Sequence, residues 1–425
     1  MQIAALAFGA TLVLWAIAHC LIALVFRAVI LKRTAPTADP VQVQSDRSPR
    51  VAVLMSLRGC DPFLLDTLRG LLRQEYEDFE IVCIIDNRKD PAWKVVEEFA
   101  IGHDAGKQLR FYELQQPLKS CSLKCSALVQ ACAMVQPDRE VVVLIDADVV
   151  PHRRWLSEVV QPLSDPTIGV VTGNQWFEPT DPTIGSMLRS IWNAGAIVAT
   201  AFNANPWAGT CAMRLADLRE SGLIQKWQTS VVDDGPIKAA MTRLGIKVYF
   251  EPRLIMVNRD QCSASFVGRY VTRMLTWSRI YEASFINTVL HGLALLGLHA
   301  AGVLVVSIAA LNREWLAVTI LASSVGLANI FLFMGFLAVR NAVRHSIARR
   351  DERLGSLTIA KATRVFLLIP VCQLAHLYWT VRAMFTKQTT WRGITYRLKP
   401  GQTVEMDAYR PYVAAVASNS ERTSI

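Results

Sequence analysis

Five aspartates and one lysine have the side chains that nucleotide chemistry needs, and each stands where an apolar run ends or a helix begins. Asp146-Ala147-Asp148 closes the run Val141 to Ile145. Alternate residues of a strand share a face, so both carboxylates project to one side. Hard oxygen donors of this kind suit Mg2+ or Mn2+ bridging a diphosphate, although two solvated carboxylates opening a turn before Pro151 show the same local pattern. Asp86 closes another run, Ile81 to Ile85, ahead of Asn87, Asp90 and Pro91. It can accept hydrogen bonds from a base or ribose, or simply begin an Asx turn. Lys124 opens a helical stretch, where a cation and free backbone amides can meet a phosphate; an exposed helix lysine fits there as well. Asp233 and Asp234 lie between Val231-Val232 and a helix-like segment from Gly235 to Leu244. They suit a helix cap, and one of them suits a base that removes the proton from an incoming hydroxyl.

These residues need a scaffold that brings strand ends together. Val51 to Leu54 is a short apolar run, and Leu64, Leu65, Leu68 and Leu72 follow at helical spacing before Ile81 to Ile85. That order reads as a β-α-β unit. A further helix carries Ala127, Leu128, Ala131 and Met134 into the third strand, Val141 to Ile145. In open parallel sheets ligands bind outside the carboxyl ends of the strands, which is where Asp86 and Asp146 fall. The expectation is an α/β, Rossmann-like nucleotide-binding domain over residues 51–265.

The rest of the chain reads as membrane-associated. Of its 425 residues 52% are hydrophobic, more than ordinary soluble domains carry. Ile3 to Phe26 contains no charge and is long enough to span, so residues 1–33 form an anchor and 34–50 a linker. No Lys or Arg precedes that run, and Arg27, Lys32 and Arg33 follow it, which puts the N-terminus outside and the next domain in the cytosol. Phe266 to Tyr281 mixes Arg269, Arg273 and Arg279 with Tyr270, Met274, Leu275 and Trp277, the pattern of a helix on a membrane surface, here 266–284. Two spans follow as a hairpin (285–339), then a basic cytosolic loop (340–364). A last apolar segment (365–385) is interrupted by Pro370, Gln373 and His376, and a tail runs from 386 to 425. That segment suits either a kinked span or a re-entrant segment; a full crossing would put the basic tail outside, against the positive-inside rule, which favours the incomplete crossing of the two. The net charge of +10 is concentrated beside apolar runs, which suits anionic headgroups and excludes a nucleic-acid reader. Nine cysteines lack CxxC pairs, and Cys121, Cys125 and Cys132 have no nearby histidine, so reduced thiols and no zinc site are expected.

The ordered set resembles the family 2-like inverting glycosyltransferases of GT-A fold, most closely the ceramide glucosyltransferase branch and its bacterial relatives. It comprises an anchor, Ser56-Leu57-Arg58-Gly59, Asp86, Asp146 to Asp148, Asp234 and an Arg-x-x-x-Trp segment ahead of a membrane hairpin. The resemblance implies that Asp86 and Lys124 contact the nucleotide, that Asp146 and above all Asp148 hold Mg2+ or Mn2+, and that Asp234 is the catalytic base. It further implies that Gly209 to Arg214 shapes the acceptor side, that Arg273 faces the donor diphosphate and that Trp277 meets the acceptor; Trp277 equally suits an interfacial anchor. Arg273-Met274-Leu275-Thr276-Trp277 departs from the family motif, because threonine replaces its second arginine. The missing cation would weaken diphosphate binding or alter donor choice, unless Arg269 or Arg279, a helical turn away, reaches the vacated place. Trp391-Arg392-Gly393-Ile394-Thr395-Tyr396-Arg397 looks like a closing motif of membrane-bound members, with no chemistry assigned.

The implied activity is transfer of a sugar from a nucleotide donor, UDP-glucose or a related UDP-hexose, to a ceramide-like or other lipid hydroxyl, with inversion. A bacterial cell membrane is expected in preference to a eukaryotic Golgi or ER membrane. A processive polysaccharide synthase would need more crossing helices, and a catalytically silent lipid- or nucleotide-binding scaffold would have no need of the acidic positions.

Overall fold

Short apolar runs bounded by polar turns are what a doubly covered parallel sheet requires, and they form its centre. The structure, a computed structural model, describes residues 1–35, 48–181, 183–350 and 352–413. Most of the linker and the chain after Val413 therefore lie outside the described residues. After helix α1 (Gln2–Arg33) come β1 (Val51–Leu57), α2 (Leu64–Leu72), β2 (Phe79–Ile85), α3 (Pro91–Gly102), β3 (Leu109–Glu113), α4 (Leu123–Met134), β4 (Val141–Ile145), α5 (Trp155–Val160) and β5 (Ile168–Phe177). The domain continues through α6 (Ile184–Asn203), β6 (Thr210–Arg214), α7 (Leu215–Glu220), α8 (Leu223–Trp227), α9 (Ile237–Arg243) and β7 (Lys247–Asn258).

Seven strands form one mostly parallel sheet in the order β3-β2-β1-β4-β6-β5-β7, with β6 antiparallel to both its neighbours. Side chains alternate between two cores. Ala52 and Leu54 pack under α4 with Leu128 and Trp227, while Val51, Val53 and Met55 face Leu68, Val96 and Trp155 on the other side. Where β5 passes β7 the register shifts between Thr172 and Asn174, and a Cβ on Gly173 would lie 2.1 Å from the carbonyl oxygen of Leu254. Only glycine allows that approach.

The amphipathic stretch forms α10 (Ala264–Tyr281), capped by Ser263, whose hydroxyl accepts from the amide of Phe266. Its apolar face is buried by Val267, Val271 and Leu275 against the domain. Then come α11 (Phe285–Leu311), α12 (Trp315–Ile347) and α13 (Ile359–Phe385). With α1, these make four helices long and apolar enough to cross a membrane among the described residues. Two boundaries differ from expectation. The expected basic loop begins as helix, because α12 runs on to Ile347 with Ala342, Val343 and Ile347 buried, and α13 starts at Ile359 and continues through Pro370. Period alone could not show that the basic end of α12 packs on protein.

The segment ahead of α13 is tied to the α/β domain and its far end to α10. Ahead of it, Arg259 donates to the carbonyl of Arg353 at 3.1 Å and Arg350 to that of Ile255 at 2.7 Å. Behind it, Arg279 donates to the carbonyl of Thr386 at 2.7 Å. Along its length Trp192 of α6 bonds His376 at 3.2 Å.

The tail contains a second, antiparallel sheet of β8 (Gln388–Trp391), β9 (Ile394–Lys399) and β10 (Thr403–Met406). Its first turn is Arg392-Gly393, with φ of 44° and 77°. Two successive left-handed residues are what a tight two-residue hairpin demands. The sheet docks on α4: the Tyr396 hydroxyl accepts from the Leu123 amide at 3.2 Å, and Met406 N donates to the Lys119 carbonyl at 2.7 Å.

Candidate functional site

Parallel pairing sets Leu57 beside Ile85 and Leu54 beside Leu144, so β1, β2 and β4 end on one edge. A cavity opens there, lined by Arg58, Gly59, Asp61, Asp86, Lys124, Asp146, Asp148, Gln175, Trp207, Asp233, Asp234, and by Tyr270, Arg273, Met274 and Trp277 of α10. Trp391 and Arg392 from the tip of the tail hairpin complete it. The structure thus brings together Asp86, Lys124, Asp146, Asp148, Asp234, Arg273 and Trp277. It does not bring Arg214, which stands at the opposite end of β6 beside Val141, where it pairs with Asp217 at 2.9 Å and donates to the carbonyl of Asp165. Gly209 lies behind the wall, pressed against Trp207, with 2.1 Å from a built Cβ to the indole.

At the centre Lys124, carried on the first turn of α4, lies 2.6 Å from Asp146 Oδ1 and 3.0 Å from Asp233 Oδ2. Burial alone would lower its pKa, but Asp146 and Asp233 hold the ammonium charged. One cation thereby neutralises two carboxylates. Asp233 also roots the α8–α9 connection, since its carbonyl accepts from Trp227 Nε1 at 2.8 Å.

Asp234 and Asp148 have no such cation. Asp234 Oδ2 meets only the Ala208 amide, at 3.5 Å, among the described residues. Burial, then the charge of Asp233, push its carboxyl up to about 7. Asp148 Oδ2 accepts from Asn258 at 3.2 Å and Gln175 at 3.4 Å. Burial, then Asp146 and Asp61, push it up to about 7 as well. A half-buried carboxylate facing two others, with only the charge of Arg392 acting against them, has oxygens that suit a hard divalent ion. No group of three or more His, Cys, Asp or Glu capable of holding a metal alone occurs among the described residues. The residues therefore fit an ion that completes its shell with oxygens of a bound ligand.

At the other end Asp86 is 3% exposed: its Oδ2 faces Arg58 at 2.6 Å, Asn87 at 2.7 Å and the amide of Tyr412 at 2.9 Å, while its buried Oδ1 has no hydrogen-bond partner among the described residues. The arginines expected to replace the motif cation do not reach the cavity. Arg279 holds the end of α13, Arg269 is exposed and does not line the cavity, and the hydroxyl of Thr276 turns back to the carbonyl of Thr272 at 2.7 Å. Sequence reasoning missed Asp61, Tyr270 and Gln175, which carry no local signature, and it had quoted the Arg58 and Trp391-Arg392 motifs without a role.

The family model described as glycosyl transferase family 21 matches residues 13–404. No curated protein matches the chain. Among solved structures, the mannosyltransferase PcManGT of Pyrobaculum calidifontis, in complex with GDP-Man and Mn2+, is 16% identical, with a TM-score of 0.48 over 90% of this chain and 99% of that one. Glucosyl-3-phosphoglycerate synthase of Mycobacterium tuberculosis, solved with Mn2+, UDP and glucosyl-3-phosphoglycerate, is also 16% identical; the TM-score is 0.37 over 54% of this chain and 80% of that one.

Proposed function

The chain belongs to glycosyl transferase family 21, and from that premise we propose that it transfers a hexose from a UDP-sugar to a lipid hydroxyl, inverting the anomeric carbon. Its GT-A fold is that of enzymes using nucleotide-sugar donors. The observation that carries the reading is the division of the carboxylates. Lys124 neutralises Asp146 and Asp233, while Asp234 stays on the cavity wall without a cation partner among the described residues.

A carboxyl titrating near neutrality is a competent general base, because it is ionised in the cell yet basic enough to accept a proton as a hydroxyl attacks. Asp234 takes that proton at its carboxylate. The two neighbouring carboxylates are held by Lys124, so neither serves as a covalent nucleophile, and one displacement with one base gives inversion. Asp148, supported by Asn258 and Gln175, is the residue that would hold Mg2+ or Mn2+, with Asp146 beside it; the ion would supply positive charge against the leaving diphosphate. Arg273 on α10 adds a cation to the same wall. Asp86 and Lys124 orient the nucleotide end.

A lipid acceptor is supported by the second wall. Tyr270, Met274 and Trp277 come from α10, which leads directly into the long apolar α11. A hydroxyl at a membrane surface beside α10 faces Asp234 across the cavity. The segment ahead of α13 is bonded to the α/β domain and its far end to α10, which itself packs on that domain; this supports an incomplete crossing by that helix, and its basic flanks support a cytosolic domain.

The test is transfer of labelled sugar from UDP-glucose, UDP-galactose, UDP-N-acetylglucosamine and GDP-mannose into total lipid extract, with and without Mn2+. A discrete, metal-dependent glycolipid with the anomeric configuration opposite to that of the donor is expected. A retained configuration, or a long glycan made without lipid, contradicts the proposal.

A further inference from the structure

The tail hairpin sends its tip into the cavity, and the shape of that tip is specific. Arg392 takes a left-handed backbone (φ 44°) that costs a residue with a Cβ, and Gly393 follows at 77°. The turn is then bolted to the first strand end. Arg58 Nε donates to the carbonyl of Arg392 at 3.0 Å, and Arg392 Nη1 donates back to the carbonyl of Arg58 at 2.6 Å. Arg392 Nη2 reaches Asp61 at 3.2 Å. A guanidinium has five N–H donors, and these contacts use two, so three stay available on a side chain lining the cavity.

Its surroundings call for an anion. Arg273, on the facing wall, has no hydrogen bond or ion pair among the described residues, and its guanidinium lies over the Tyr270 ring at 5.9 Å. Arg392 is close enough to disfavour the charge of Arg273 and to favour that of Asp148. Arg273 and Arg392 line one cavity and only Arg392 has a carboxylate partner, Asp61, so the two guanidinium groups repel each other and an anionic ligand meeting both would relieve that. The one position of α10 where a motif cation was expected, Thr276, is fully buried and bonds its own helix.

We infer that Arg392 is a donor-binding residue, the second cation for the diphosphate, delivered by the tail hairpin in place of the arginine that α10 lacks. The inference rests on the donor-site reading given above. It explains two features together: the threonine in the α10 motif, and the Trp391-Arg392-Gly393 turn that had no role. Arginine suits the task because its planar fork meets two phosphate oxygens at once, and docking the hairpin on Arg58 fixes that fork without help from α10.

The experiment measures equilibrium binding of UDP, UMP and uridine, with Mn2+, to the full chain in detergent, comparing wild type with Arg392→Gln and Arg392→Lys. Both substitutions leave the backbone cost of the turn unchanged. Arg392→Gln is expected to weaken UDP about tenfold or more and uridine less than twofold, the size of one lost charge-assisted contact. Arg392→Lys keeps the charge but not the fork, and should lose severalfold for UDP with uridine unchanged, which also decides the matter if the glutamine variant does not fold. Equal weakening of UDP and uridine in both variants would show a hairpin that only shapes the pocket, and unchanged UDP affinity would show a cation that meets no phosphate; either overturns the inference while the donor site stands. If wild type does not bind UDP, the donor-site reading falls and takes this one with it.

Discussion

Replacing Asp234 by asparagine separates the chemical step from everything around it. The side chain keeps its size and its weak contact with the Ala208 amide, so the cavity keeps its shape. With a carboxyl near 7, about one molecule in eleven carries the ionised base at pH 6 and about ten in eleven at pH 8. Wild-type kcat should therefore climb about tenfold between pH 6 and a plateau above pH 8, measured with Mn2+ saturating so that Asp148 stays ionised. Asp234→Asn should lower the plateau by about 10²–10⁴-fold, the usual contribution of a positioned base, and abolish the limb. Stability moves the other way. A folded pKa above the ordinary carboxyl value of 3.8 favours the folded state at acid pH, and that advantage is lost as pH rises through about 7. The variant lacks this slope, so its melting temperature relative to wild type should rise from pH 4 to pH 7. A flat rate profile between pH 6 and 8, or a variant within fivefold of wild type, refutes the assignment of the base.

Lys124→Met should cost about 3 kcal/mol at neutral pH in chemical denaturation, because it strands Asp233 and Asp146 without their cation; the loss should shrink in acid. Asp148→Asn should abolish metal-stimulated transfer and Mn2+ binding seen by electron paramagnetic resonance, yet leave the metal-free protein at least as stable, since it removes an uncompensated buried charge. Chelation of wild type should reproduce the loss of activity, reversed by added Mn2+. Gly173→Ala should destabilise by about 3 kcal/mol, because its Cβ meets backbone that cannot turn aside, and thermal unfolding reads it directly.

The sheet core and the acidic edge were legible because they are local. Val141 to Ile145 followed by Asp146 states both a buried strand and what stands at its end, and the resulting β4 has the same bounds. The α10 helix was legible for the same reason, but its apolar face, expected against a membrane, packs on Phe177, Leu188 and Trp379. What stayed hidden depends on chain segments far apart in sequence. Nothing near Asp61 or Gln175 signals a cavity, since each reaches it by the path of its own strand or turn. The substitute for the missing α10 arginine was sought one helical turn away and lies instead on the tail, more than a hundred residues later. Arg214 was drawn toward the site by its motif, whereas the antiparallel direction of β6 carries it to the other end. Boundaries around the basic stretch shifted because packing of Val343 and Ile347 on the domain extends α12 beyond the apolar run.

The pairing of α1 with α12 bears on how the protein is made. Gly9 lies against Ser324, where a Cβ would come within 2.2 Å of the hydroxyl, and Gly335 lies against the backbone of Cys20. Such close backbone approach is how apolar helices recognise one another where water offers no driving force. Yet the ribosome delivers α1 first and α12 only after the whole α/β domain and α11. α1 must therefore wait with its glycine face unmatched while the domain folds, and α12 and then the hairpin reach their partners later. A chain stopped short of the hairpin would hold a folded sheet whose cavity lacks Trp391 and Arg392.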